Sequence, residues 1–125
     1  MQRLLLAVAF VCLPGVAAKG QDPVKVDPQH YKVELDNAQV RVLRIHYGPH
    51  EKSVMHVHPN AVVVYLTDVH VKMTTPDGKS VEQTGKAGEE HWTPAGTHLP
   101  ENLSDAPMDA VLIELKGKAA AKPAQ

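Results

Sequence analysis

Between residues 30 and 116 the apolar side chains recur with a period of two. Tyr31, Val33 and Leu35 alternate with Lys32, Glu34 and Asp36, and Val69, Val71 and Met73 alternate with His70, Lys72 and Thr74. Such spacing sends successive side chains to opposite faces of an extended chain, which predicts half-buried strands. Further strands are predicted at 40–47, 54–58, 61–66, 79–84, 90–93 and 108–115, where β-branched and aromatic residues concentrate. No stretch of ten residues carries the helical period. Asp36-Asn37, Gly48-Pro49, Thr67-Asp68, Pro76-Asp77-Gly78-Lys79 and Ser104-Asp105-Ala106-Pro107 supply the residues that chain reversals need. Short strands at this spacing predict an all-β sandwich or barrel, and no repeat or heptad suggests a propeller, solenoid or coiled coil.

The ends read differently. Residues 1–18 have the form of a secretory signal peptide: Arg3, then an apolar run from Leu4 to Leu13, then the small residues Val16-Ala17-Ala18. The run is about half the roughly twenty residues that a bilayer span needs, so a cleaved leader is expected and no stable membrane anchor. An exported protein follows, periplasmic or secreted. Residues 19–29 are polar, carry Pro23 and Pro28, and read as an extended leader along or outside the body of the domain; 117–125 reads as a flexible tail. The domain proper is thus placed at 30–116. Cleavage would also remove Cys12, the only cysteine, leaving no thiol for a disulfide, a zinc–thiolate site or a nucleophile. The remaining charge, twelve basic residues (thirteen less Arg3) against fourteen acidic, has no block of one sign, which argues against a nucleic-acid partner.

Eight histidines stand in the 125 residues. His56 and His58, one residue apart in a strand-like segment, project from the same face about 7 Å apart, within reach of one ion or on a solvent-facing edge. Gly48 precedes the pair, and some thirty residues later comes Gly88-Glu89-Glu90-His91-Trp92-Thr93-Pro94-Ala95-Gly96-Thr97-His98-Leu99-Pro100-Glu101-Asn102.

From Gly48 to Asn102 this pattern resembles the cupin superfamily. His56 and His58 match its first motif, and Gly88, Pro94, Gly96, His98 and Asn102 match its second. The resemblance implies a cupin-type double-stranded β-helix, a small jelly-roll-like barrel of the "cupin 2" kind. It also implies that His56, His58 and His98 hold one divalent metal ion, with Fe, Mn or Zn as the candidates. Two positions depart from the pattern. Val62 and Val63 stand where the first motif's glutamate is expected, and Thr97 alone separates Gly96 from His98 where two residues are usual. Three imidazoles still leave coordination positions open, as catalytic metal sites require, but do not choose among the metals.

Other side chains are candidates for the pocket or for bonds to the ligands. His91 either lines the pocket or sits on a strand surface, Glu101 and Asn102 adjoin the second motif, and Tyr65 and Trp92 are either core or pocket wall. His46 and His50 flank Gly48 near the barrel mouth, whereas His30 and His70 fall on the polar phase and are expected at the surface. No Gly-x-Ser-x-Gly elbow, phosphate loop or His-Glu-x-x-His helix is present. Three readings remain open: a metal-dependent enzyme, dioxygenase-like or an isomerase or lyase acting on a small organic substrate; a non-catalytic cupin binding a small molecule with a degenerate or empty metal site; and a purely structural domain whose role is association. The resemblance also implies a homodimer, with Tyr31, Val33 and Leu35 as a candidate edge.

Overall fold

The computed structural model describes residues 20–117. The expected signal peptide at 1–18 and the tail from 118 onward lie outside the described residues. The order is α1 (Pro23–Val26), β1 (Tyr31–Asp36), β2 (Val40–Tyr47), β3 (His56–His58), β4 (Ala61–Tyr65), β5 (Val69–Thr74), β6 (Ser80–Gly85), β7 (Glu90–Thr93), β8 (Gly96–Asn102) and β9 (Met108–Leu115). Two antiparallel sheets result, ordered β1-β2-β9-β4-β7 and β3-β8-β5-β6. The architecture is a double-stranded β-helix, the all-β barrel that the alternation predicts.

The centre of the larger sheet is the ladder of β2 and β9, paired from Val40 with Leu115 to Tyr47 with Met108. Along both strands every second residue points inward, so Leu43, Ile45 and Tyr47 meet Met108, Ala110 and Leu112 in the core between the sheets. Tyr31, Ala61, Tyr65, Val69 and Val71 complete that core.

Three sequence expectations need correction. Val33 and Leu35 were expected on the half-buried face with Tyr31, but they are 45 and 47 % exposed. β1 is an edge strand, and a register irregularity between Val33 and Leu35 turns Leu35 out of phase. Second, β8 was not predicted as a strand, because Gly96, Pro100 and polar residues break its apolar pattern. A proline is tolerated there because β3 pairs only with Gly96 to His98, leaving no ladder partner on that side for the nitrogen of Pro100. Third, His30 was expected at the surface and is 4 % exposed. It closes the turn after α1, stacks on Tyr47 with ring centres 4.4 Å apart, and places Nδ1 2.8 Å from Asp27 and Nε2 2.9 Å from Glu51. These bonds hold residues 22–30 along the barrel, one of the two placements expected for the leader.

Candidate metal centre

β3 is only three residues long, and its pattern of buried, exposed, buried fixes the site. His56 and His58 point inward on either side of Val57. His98 lies directly across the β3–β8 pairing from His56. The ring centres are 4.7 Å apart for His56 and His58, 5.0 Å for His56 and His98, and 5.3 Å for His58 and His98. One nitrogen from each ring lies within 4.8 Å of the other two.

Hydrogen bonds select which nitrogens face the centre. His56 donates from Nδ1 to the Val54 carbonyl at 2.8 Å, with Ser53 Oγ at 3.3 Å, leaving Nε2 buried without a partner. His58 donates from Nδ1 to Glu114 Oε1 at 2.7 Å. The other Glu114 oxygen accepts from Arg41 Nε at 2.7 Å, and Arg41 reaches on to Asp22, the N-cap of α1. A chain of alternating charge therefore orients His58 from behind. Tyr31 packs its ring 4.9 Å from His56 and 5.8 Å from His58, and its hydroxyl bonds that of Tyr47 at 2.7 Å.

Burial depresses the two paired histidines. His56 is brought down to about 4 by desolvation and then by the nearby His58, and His98 down to about 3 by desolvation and by both neighbours. Both are neutral at pH 7 and present lone pairs. Burial raises the Glu114 carboxyl, but the bonds from His58 and Arg41 outweigh that and hold it below the ordinary range. Its ionised form is thus kept beside His58.

These features fit a divalent ion. Two imidazole–metal bonds of 2.0–2.1 Å span at most about 4.2 Å, so small ring rotations bring all three nitrogens into reach. A carboxylate or carbonyl behind a histidine fixes its tautomer and orientation, as is usual around metal-bound imidazole. Among the described residues no carboxylate joins the cluster. Val63 faces the interior in place of a motif glutamate, and its partner Val62 faces out.

A cavity of about 600 Å³ adjoins the cluster and takes His58 and His98 into its wall. Ile45, Val63, Met73 and Leu112 form its apolar sides. Gln83, Thr84, His91 and Trp92, exposed residues of β6 and β7, form its mouth. The lining contains no Lys, Arg, Asp or Glu among the described residues.

The remaining candidates divide. Tyr65 is 9 % exposed and both packs in the core and lines the cavity. A Cβ on Gly85 would sit 2.4 Å from its ring, so the absence of a side chain at Gly85 sets the ring's position. His91 lines the mouth, tilted against Tyr65 with ring centres 5.3 Å apart and bonded to Glu89 at 3.2 Å. Trp92 lines it too and is 57 % exposed. Glu101 lies apart on the outward phase of β8, paired with Lys72 at 2.8 Å. Asn102 is buried, but its amide donates to the carbonyls of Gly48 and Ala106 and accepts from the Ser104 backbone, tying loops together without reaching a histidine. His46, His50 and His70 pair with Asp109, Asp105 and Glu82 at the surface. The residue that sequence reasoning missed is Glu114. Its signal was an acidic side chain on the inward phase of 108–115, in step with Met108, Ala110 and Leu112.

A two-sheet β-helix with three converging histidines beside an apolar cavity defines a class of small metal-capable barrels. Among solved structures, a cupin domain from Bordetella pertussis Tohama I is 31% identical over 70% of this chain and 92% of its own, with a TM-score of 0.65. A Klebsiella pneumoniae protein with a double-stranded β-helix domain is 22% identical over 72% of this chain and 78% of its own, TM-score 0.57. A polyketide cyclase from Streptomyces resistomycificus is 14% identical over 70% and 64%, TM-score 0.52, a likeness of fold alone. No family model and no curated protein matches the sequence. The chain belongs to the cupin superfamily.

Proposed function

We propose that this is an exported cupin that holds one divalent ion on His56, His58 and His98 and receives a small, mainly apolar organic molecule in the adjoining cavity. The observation that carries the proposal is His56 Nε2, a buried lone pair with no partner, aimed into a cluster with two further imidazoles. Leaving such a group unsatisfied is costly unless something is bound there. An ion in this neutral ligand set, with positions left open, would act as a Lewis acid toward oxygen donors.

The chain's own residues supply the rest. Glu114 and the Val54 carbonyl orient the ligand rings, Tyr31 closes the site beneath them, and the apolar walls keep water from the body of a bound molecule. With no charged side chain in the lining, an ammonium on that molecule would lie unpaired, and a carboxylate would find its partner only in the ion itself, which selects a mainly apolar ligand whose oxygen atoms face the ion. Fe and Zn suit imidazole, Mn enters from the family resemblance alone, and the metal would decide between dioxygenase-like and isomerase or lyase chemistry. The second reading, binding without turnover, is favoured by one observation: no carboxylate lines the cavity to serve as a proton acceptor among the described residues.

The test is elemental analysis of untagged protein purified without chelator, beside a variant with His56, His58 and His98 all replaced by alanine. About one equivalent of metal per chain is expected in the parent, and none in a variant whose circular dichroism is unchanged. Retention of a tightly bound ion by the triple variant, or a parent that stays below about a tenth of an equivalent after incubation with each metal, overturns the proposal.

A further inference from the structure

One segment runs along the free edge of the strand that carries two of the three histidines. Asp22 caps α1 and Pro23 opens it; Pro23 is buried and Val24 packs on the core, so residues 20–30 are seated in the fold. β3 has a strand neighbour, β8, on one side only, and on the other side the Val57 amide donates to the Gln21 carbonyl at 2.9 Å. A Cβ on Gly20 would lie 2.8 Å from Thr97 Cγ2 and 3.0 Å from Val57 Cβ. The chain therefore passes over the pair that joins β3 to β8 between the ligands.

Two hydrogen-bonded chains lead from this segment to the ligands. In the first, Ser53 Oγ donates to the carboxyl of Asp27, a residue 5 % exposed, and stands 3.3 Å from His56 Nδ1. Asp27 is fixed in turn by His30, whose Nδ1 lies 2.8 Å away. The second begins at Asp22, whose oxygens meet the Arg41 guanidinium at 2.6 and 3.1 Å; Arg41 reaches Glu114, and Glu114 reaches His58. A cavity of about 280 Å³ opens between residues 26–29 and 52–54. Across that gap polar bonds rather than close packing hold the segment to the loop before β3. Displacing the segment would loosen His56 and His58 together.

We infer, on the metal reading given above, that residues 20–30 are a strap whose seating sets the affinity of the histidine site for its ion, with Asp22, Asp27 and Ser53 as positioning residues. Losing one partner behind a metal-bound imidazole costs about 10- to 100-fold in affinity, and here a single segment supports two imidazoles. Coupling free energy is reciprocal, so a strap that tightens the histidines is itself tightened when the ion binds.

The test is the Zn²⁺ affinity of the folded chain, by competition with a chromophoric chelator, together with amide hydrogen exchange with and without Zn²⁺. Ser53→Val is expected to bind about 10-fold more weakly than the parent, and Ser53→Thr, which has the same shape but keeps the hydroxyl, to recover most of that loss. Asp22→Asn keeps a cap for α1 but not the charge facing Arg41, and is expected to bind about threefold more weakly or worse. In the parent, Zn²⁺ should slow exchange at Lys25, Val26 and Asp27, whose amides are bonded within α1, about 10-fold more than at β6. The variant with all three histidines replaced by alanine should show no such difference. Parent-like affinity in both Ser53→Val and Asp22→Asn, equal weakness in Ser53→Val and Ser53→Thr, or α1 exchange indifferent to Zn²⁺ overturns the strap and leaves the ion in place. A parent that takes up no Zn²⁺ overturns the metal reading, and the strap with it.

Discussion

Acidifying the metal-free protein tests the electrostatics of the histidine cluster without knowledge of its ligand. In the folded chain His56 and His98 titrate near 4 and near 3, against an ordinary value of 6.5. The unfolded chain therefore binds protons that the folded one refuses between those values, and the fold must lose stability as pH falls through 6.5 toward the folded pKa. At about 1.36 kcal/mol per unit, the 1.5 units from 6.5 down to about pH 5 amount to about 2 kcal/mol for each histidine and about 4 kcal/mol for the two. That is a large share of the 5–15 kcal/mol typical of a domain. The carboxylates do not interfere. Asp22 and Glu114 are held below ordinary values of 3.8 and 4.5, so their contribution is present above those values and is lost only at lower pH. Urea unfolding followed by circular dichroism, with chelator present, should show the drop between about pH 7 and pH 5, and the triple alanine variant should show little of it. A parent whose unfolding free energy is flat or rising over that interval would refute the account of a buried, neutral cluster.

Two further substitutions probe the surroundings of the site. Glu114→Gln removes the negative charge between His58 and Arg41, and is expected to weaken metal binding roughly 10- to 100-fold, read by competition with a chromophoric chelator. Gly85→Ala drives a methyl group into the Tyr65 ring; a loss of about 1–3 kcal/mol in unfolding free energy is expected, with a smaller cavity, and an unchanged midpoint would show that Tyr65 is free to move aside.

Much of the fold was legible because half-buried strands write themselves as alternation. Val40 to Tyr47 and Met108 to Leu115 show a buried phase in every second residue, and the structure pairs them along their whole length. The histidine pair was legible for the same reason, since one intervening residue returns the chain to the same face. What escaped was set by tertiary context. β8 takes a proline because β3 pairs only with Gly96 to His98, and on that side Pro100 serves through its carbonyl, which accepts from the Ser53 backbone. His30 stands in a polar segment yet is buried, because Asp27 and Glu51 lie within hydrogen-bond distance of its ring and Tyr47 stacks on it. Glu114 could have been singled out as a charge in an inward position, but its partners His58 and Arg41 are 56 and 73 residues away. Leu35 needed the irregularity in β1 before it could be assigned to a face.

The pairing of β3 with β8 consists of three residue pairs, His56 with His98, Val57 with Thr97 and His58 with Gly96. Because side chains alternate, sliding β3 by one residue would turn both of its histidines outward and bring Val57 in, dismantling the cluster while sacrificing few backbone bonds. Strand registration and ligand assembly are therefore one and the same event in this barrel: whatever stabilises the three nitrogens together also proofreads the alignment of its shortest strand.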